Sequence, residues 1–251
     1  MWEIIITAAI KWEIIITAAI MSVLAAIACK TIYDYAKKKG MKDLLKLFMK
    51  SGFDSKVASF SELNRHVKKG GILFLGDSIT QDYPIHDFFP GLHLYNRGIG
   101  GDTTEGLLKR LDVSVFELEP KSIILLIGTN DLSQLQDGVE MSAKRLQMAV
   151  DQIHERLPET RIYLLAVYPV NPNVHRVSVG ERDNGKIQAL NRHLKDISGV
   201  TYIDLTPLLQ DASGNLDPSC TPDGLHLNEK GYRIVTEALK HHITDLHPDR
   251  V

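Results

Sequence analysis

One serine stands where a parallel sheet would present a reactive group. An apolar run at residues 72–75 leads into the string Gly-Asp-Ser-Ile-Thr at residues 76–80, a pattern typical of a buried strand followed by a turn and a helix. Open α/β sheets bind their ligands beyond the carboxyl ends of their strands. Ser78 is therefore a candidate nucleophile, although the same short string also occurs in ordinary turns.

A serine hydroxyl is a weak nucleophile at neutral pH and needs a neighbouring base. The string Asp-Gly-Leu-His at residues 223–226 offers His226 as that base. Asp223 would accept the other ring N–H and stabilise the imidazolium. Taken alone, the string equally suits an aspartate that caps a helix. None of the other histidines follows an Asp-Gly pair in this way, so we interpret them as surface or core residues.

Two further polar blocks lie between Ser78 and His226. They are Asn-Arg-Gly-Ile-Gly-Gly-Asp at residues 96–102 and Gly-Thr-Asn-Asp at residues 128–131. With the four blocks in this order, the chain resembles the SGNH (GDSL-type) hydrolase family, and within it the platelet-activating-factor acetylhydrolase-like esterases. The resemblance extends from the first block to the last and so covers the chain beyond its amino-terminal segment.

The resemblance implies a role for five residues. Ser78, His226 and Asp223 would form a catalytic triad, and the Ser78 amide, the Gly101 amide and the Asn130 side chain would form an oxyanion hole. Each residue type suits its role, because glycine lets a backbone amide approach the substrate closely and asparagine offers N–H donors without a charge. The family needs no metal and no organic cofactor for this chemistry.

The neighbouring polar residues are expected to be structural. We predict that Asp77 and Asp131 brace loops through backbone hydrogen bonds, and that Asp102 or Thr103 caps the following helix. No glycine stands two residues after the serine, so the nucleophile elbow of the α/β-hydrolases does not apply. The loop at residues 168–174 is expected to line the pocket.

Strand-like and helical patterns alternate along the chain. This alternation predicts a three-layer α/β/α sandwich with a mostly parallel, five-stranded sheet, SGNH or flavodoxin-like, in a hydrolase domain at residues 71–247. The predicted strands are residues 72–75, 92–95, 123–127, 162–167 and 200–205, and the predicted helices are residues 104–111, 139–157, 186–197 and 228–242.

Composition argues against a nucleic-acid partner, a disulfide framework and a zinc site. The 251 residues carry a formal net charge of −2, so the overall charge gives no reason to expect a nucleic-acid partner. Only two cysteines occur, Cys29 and Cys220. They are far apart in sequence, which argues against a disulfide framework, and no Cys/His spacing indicates zinc.

The first 29 residues contain a nine-residue segment that occurs twice, at residues 2–10 and 12–20. Residues 14–29 carry no charge, which predicts a single-pass membrane anchor, slightly short of a ~30 Å hydrocarbon core. A cleaved signal peptide ending near Ala28, a lipoprotein signal ending at Cys29 and a soluble buried helix are the alternatives.

A basic segment at residues 30–70 follows this stretch. Its lysines, among them Lys38, Lys46 and Lys50, favour a cytoplasmic location for the hydrolase domain and an amphipathic helix on membrane lipid. Packing of this helix on the catalytic domain is the alternative. Gly40 is expected to interrupt it, and residues 51–55 to form a linker before another helix.

Taken together, these patterns favour a serine esterase that removes a small acyl group, acetyl, from an oxygen ester of a lipid or carbohydrate. A lysophospholipase or thioesterase of the same family is an alternative. A metallophosphoesterase would need histidine-rich strings that the chain lacks. A non-catalytic, membrane-tethered binding module would have no need for nucleophile, base and acid together.

Overall fold

The computed structural model describes residues 1–135 and 137–247, without the side chains of residues 3–11, 13–15, 18–19 and 42. The chain divides into two compact units, Met1–Ser51 and Gly52–Val251. The first unit is helical from Trp2 onward, as part of helix α1, and the second contains the remaining helices and the sheet.

Helix α1, Trp2–Asn64, is continuous in sequence across both units. The predicted interruption at Gly40 and the predicted linker at residues 51–55 are therefore wrong. A glycine in a helix interior costs only about 1 kcal/mol relative to alanine, and the first proline of the chain is Pro84. Nothing in this segment is strong enough to end a helix.

No helix in the described part of the chain is long and apolar enough to cross a membrane. The membrane-spanning helix predicted for residues 1–29 is therefore not supported, and neither is the lipid contact inferred from it. Glu13 and Lys30 bound the uncharged stretch, which at ~1.5 Å per residue extends over ~24 Å.

The second unit is built on one sheet of five parallel strands in the order β2-β1-β3-β4-β5. The predicted number and direction of strands are confirmed. Their bounds are β1 Ile72–Gly76, β2 Leu94–Gly98, β3 Ser122–Leu126, β4 Arg161–Leu165 and β5 Thr201–Ile203.

Helices of very different lengths connect these strands. The four long helical patterns are present with ends shifted by a few residues, and the short helices, apart from the one expected after the first strand, were not predicted. The α-helices are α2 Ser78–Gln81, α3 Ile85–Phe88, α4 Thr104–Lys109, α5 Asp131–Gln134, α6 Gly138–Arg156, α7 Arg176–Val179, α8 Asn184–Lys195, α9 Thr206–Leu209 and α10 Glu229–His242. The other helical turns are a π-helical one at Asp112–Phe116 and 3₁₀ turns at Pro218–Cys220 and Thr244–Leu246.

Alternate strand residues face opposite sides of the sheet, as the period of a strand requires. Leu73 and Leu75 belong to one apolar cluster, together with residues of α4, α6 and α8. Ile72 and Phe74 belong to a second cluster, together with residues of α2, α3 and α10. Both faces of the sheet are thus covered by helices, which confirms the three-layer architecture.

Strand β2 begins and ends later than predicted, so the first three residues of the polar block 96–102 lie inside it. Arg97 is nevertheless buried, because its guanidinium lies 4.7 Å from the Phe60 ring centre and donates to Asn64 Oδ1 over 2.7 Å. Asn96 donates to the Thr80 carbonyl over 2.7 Å. Polar residues fit this strand because other elements supply most of their hydrogen-bond partners, although Arg97 Nε has no partner among the described residues.

Arg110 is fully buried where β1 and β2 end. Its Nε donates to Asp102 Oδ2 over 2.8 Å, and both terminal nitrogens donate over 2.9 Å to main-chain carbonyls, those of Arg97 and Gly76. Ser114 Oγ accepts a further bond of 2.9 Å. A guanidinium can enter a protein interior when its donors find partners in this way.

Replacement of Arg110 by methionine should destabilise the fold strongly, because it leaves the Asp102 carboxylate buried without its cation. We expect a loss of about 3–5 kcal/mol in the free energy of unfolding by urea. The control is Lys109→Met, which removes an exposed ion pair with Glu105 and should cost at most about 1 kcal/mol. Equal losses in the two variants would contradict this assignment.

Asp77 joins β1 to α2 and is almost completely buried. Its Oδ1 accepts from the Ile79 amide over 3.0 Å, whereas its Oδ2 has no hydrogen-bond partner among the described residues. Burial raises the pKa of this carboxyl from 3.8 to about 7, with the Ile79 bond lowering it and the nearby Asp102 raising it.

This pKa predicts a pH-dependent stability. Between about pH 4 and about pH 7 the folded state holds the Asp77 proton more tightly than the unfolded state does, so the contribution of Asp77 to stability falls as the pH rises. Asparagine cannot titrate. Wild type should therefore lose stability relative to Asp77→Asn across this range, with a slope of up to about 1.4 kcal/mol per pH unit.

Urea unfolding of both proteins from about pH 4 to about pH 8 measures this difference. The difference should level off above about pH 7. Parallel stability curves for wild type and Asp77→Asn would show that the carboxyl does not titrate in this range.

Candidate active site

The segments that follow β1, β2 and β3 begin side by side. Gly76 pairs with Gly98 of β2 and with Leu126 of β3, so three neighbouring strands end at the same edge. Ser78, Gly101 and Asn130 each come just after one of these strand ends. The sheet register therefore places the three predicted oxyanion-hole residues on adjacent loops, at the edge where parallel sheets bind ligands.

Ser78 is the first residue of α2 and lies half-buried. Its Oγ is 3.0 Å from Nε2 of His226, although the two residues are 148 positions apart in sequence. That distance lies within the range for proton transfer between a hydroxyl nucleophile and its base.

Asp223 holds the other side of the imidazole. Its Oδ2 lies 2.7 Å from Nδ1 of His226, and its Oδ1 accepts from the amides of Leu225 and His226 over 3.0 and 2.9 Å. A carboxylate only accepts, so Nδ1 carries the hydrogen of this bond. The lone pair of the neutral ring is then on Nε2, facing Ser78.

The pKa of Asp223 is lowered by these contacts. Partial burial alone would raise it, but the bonds from the His226 ring and from the two backbone amides together outweigh burial. Asp223 is therefore ionised wherever His226 has to act as a base, and it stabilises the imidazolium that forms.

The turn that carries this pair depends on Gly224. Its φ is +79°, and a Cβ on it would collide with the carbonyl oxygen of Asn171. The Asn171 amide donates to the Gly224 carbonyl over 2.7 Å, and Thr221 Oγ1 accepts from the Gly224 amide over 2.8 Å. The predicted pocket loop at residues 168–174 thus braces the turn of the triad.

Asn130 is buried, and both ends of its amide are engaged. Oδ1 accepts from Arg182 Nη2 over 2.6 Å, and Nδ2 donates to the Asp102 carbonyl over 2.9 Å. An amide nitrogen has two hydrogens, so the bond to Asp102 leaves one N–H for a further acceptor. Gly101, one residue before Asp102, has a φ of +76°, which favours glycine.

The remaining predicted residues have structural contacts. Thr103 caps α4 by accepting from the Gly106 amide over 3.2 Å, and Asp102 pairs with Arg110 instead of capping. Asp131 accepts from both the amide and the hydroxyl of Thr104. Within residues 1–135 and 137–247, no group of three or more His, Cys, Asp or Glu side chains is arranged to hold a metal ion.

Sequence reasoning missed Arg110 and Arg182. Both are buried arginines with several hydrogen bonds, whereas arginine is rarely buried. Arg182 lies in a glycine- and charge-rich stretch that looks like a solvated loop. No local pattern in one sequence distinguishes such an arginine from an exposed one.

Residues 74–234 match the family described as GDSL-like lipase/acylhydrolase. Platelet-activating factor acetylhydrolase IB subunit alpha2 from Homo sapiens is 32% identical over 199 residues, which cover 74% of this chain and 83% of that protein. The Rattus norvegicus protein of the same name gives the same values.

Solved structures have the same fold. One from Streptococcus pneumonia, whose name refers to platelet activating factor, has a TM-score of 0.76 at 31% identity and covers 82% of this chain and 97% of its own. A GDSL-like lipase from Bacteroides thetaiotaomicron has a TM-score of 0.66 at 21% identity, over 76% of this chain and 98% of its own. The chain therefore belongs to the GDSL-like lipase/acylhydrolase family of ester hydrolases.

Proposed function

We propose that this protein is a serine esterase that removes a small acyl group, acetyl, from an oxygen ester of a lipid or carbohydrate. The hydrogen-bond chain from Ser78 through His226 to Asp223 carries the proposal. It joins a nucleophile, a base and an acid in the order that acyl transfer requires. No bound metal or organic cofactor takes part in the proposed steps.

In the proposed acylation step, Ser78 Oγ forms a bond to the ester carbonyl carbon while His226 Nε2 takes the hydroxyl proton. The negative charge moves to the carbonyl oxygen, where the amides of Ser78 and Gly101 and the side chain of Asn130 donate hydrogen bonds. The bond to the leaving oxygen then breaks, and His226 gives that oxygen its proton.

In the proposed deacylation step, His226 takes a proton from water, whose oxygen attacks the acyl carbon. The bond to Ser78 Oγ breaks, and the proton returns to that oxygen, releasing a carboxylic acid. Asp223 stays ionised throughout and stabilises the imidazolium in both steps.

Acetyl is the acyl group to test first because the human relative is named an acetylhydrolase. The family description itself, lipase and acylhydrolase, includes longer acyl chains. The leaving group is the less constrained half of the substrate, and both a lipid and a sugar hydroxyl fit the proposed chemistry.

The serine mechanism predicts that Ser78→Ala in the full-length chain loses about 10³-fold or more in kcat on p-nitrophenyl acetate. EDTA should leave the activity of wild type unchanged. The control is Ser213→Ala, because Ser213 is exposed in a loop and its loss should not affect the rate. Equal, slow hydrolysis by wild type and Ser78→Ala would favour a binding module instead.

The acetyl preference predicts that kcat/KM falls from p-nitrophenyl acetate through butyrate to decanoate. A site shaped for a small acyl group has no room for the longer chain, and steric exclusion lowers transition-state binding. A profile that rises with chain length would contradict the acetyl assignment and favour a lysophospholipase, while leaving the serine mechanism intact.

A further inference from the structure

Arg182 is a buried arginine that the proposed steps do not use. It lies between α7 and α8 and is 9% exposed. Its Nη2 donates to Asn130 Oδ1 over 2.6 Å and its Nε to the Thr129 carbonyl over 3.0 Å. Its Nη1 donates to the Val179 carbonyl over 3.0 Å. Two of its nitrogens therefore hold the loop that carries Asn130.

The contacts at the two ends of the Asn130 amide select one orientation. A guanidinium can only donate, so Arg182 must face Oδ1, and a carbonyl can only accept, so Asp102 must face Nδ2. Rotating the amide by half a turn would place Nδ2 against the Arg182 donor and Oδ1 against the Asp102 carbonyl, so that neither hydrogen bond could form. The unused hydrogen of Nδ2 is therefore held in one direction, which is the preorganisation that oxyanion binding requires.

Arg182 also acts on the amide electrostatically. A cation hydrogen-bonded to Oδ1 polarises the amide and makes its N–H a stronger donor. Burial lowers the pKa of Arg182, but the negative charges of Asp77 and Asp223 favour its cationic form.

We propose that Arg182 is a positioning residue for transition-state binding, acting through Asn130 without contacting the substrate. The proposal rests on the proposed function, since it requires that Asn130 donates to an oxyanion. Arg182 would then affect kcat and leave KM nearly unchanged, because the oxyanion is present only in the transition state.

A purely structural role must be separated from this one, since Arg182 also supports the segment around Val179. Arg182→Lys keeps the charge but cannot reach all three partners with a single nitrogen. The matched control is Arg176→Lys, an exposed arginine of α7 in the same segment. This control should leave both kcat and KM unchanged.

The test is a double-mutant cycle on the full-length chain, with wild type, Arg182→Lys, Asn130→Ala and the double variant. Hydrolysis of p-nitrophenyl acetate gives kcat and KM, and thermal melting verifies folding. Arg182→Lys should lower kcat by about 10–100-fold, less than the loss of the donor itself, with KM within about threefold. In the Asn130→Ala background, the same change should cost less than about threefold.

Equal fold-losses in kcat in the two backgrounds would overturn the proposal, and so would an effect on KM alone. Should Arg182→Lys fail to fold, Arg182→Gln takes its place in the same cycle. Full activity of Asn130→Ala with an inactive Ser78→Ala would refute the role of Arg182 and leave the serine mechanism standing. Full activity of Ser78→Ala would instead refute the proposed function itself.

Discussion

The buried ion pair between Arg110 and Asp102 is the constraint on which the rest of the site depends. Arg110 joins the carbonyls at the ends of β1 and β2, and Asp102 belongs to the loop that carries Gly101. The Asp102 main-chain carbonyl also accepts a hydrogen bond from the side-chain amide of Asn130. One pair of charges therefore fixes three loops relative to one another. Burying two charges costs free energy, and separating them would leave each charge buried without its partner, which costs more. The loops therefore have little freedom to separate.

Most of the sheet could be predicted because its signals are local. Apolar runs bounded by glycine or polar residues marked all five strands, and short polar blocks marked the loops after them. The Ser78–His226 pair was also accessible, because each residue stood in a block of its own. Strand limits were less accurate where polar residues such as Asn96 and Arg97 are satisfied inside β2 by α2 and the end of α1.

The partners of the site could not be predicted, because they depend on distant contacts. Arg182 and Asn130 are 52 residues apart, and neither sequence context indicates the other. The amino-terminal segment shows the opposite failure. Its apolar run and its lysines are strong local signals, yet no helix in the described part of the chain is long and apolar enough to cross a membrane, and a single glycine did not interrupt the helix.

Asp77 shows how the demands of the site conflict with those of stability. Asp102 and Asp131 are also buried, but Asp102 has Arg110 at 2.8 Å and Asp131 has Arg145 at 3.9 Å. Asp77 Oδ1 accepts a hydrogen bond from the Ile79 amide in α2, the helix that begins with Ser78. Asp77 Oδ2 has no hydrogen-bond partner among the described residues. The hydrogen bond that Asp77 accepts therefore fixes the backbone next to Ser78. Burial, however, disfavours the ionised form of this carboxyl. Buried polar atoms without hydrogen-bond partners are tolerated most readily next to reactive groups. Asp77 Oδ2 is such an atom, and it belongs to the residue before the nucleophile.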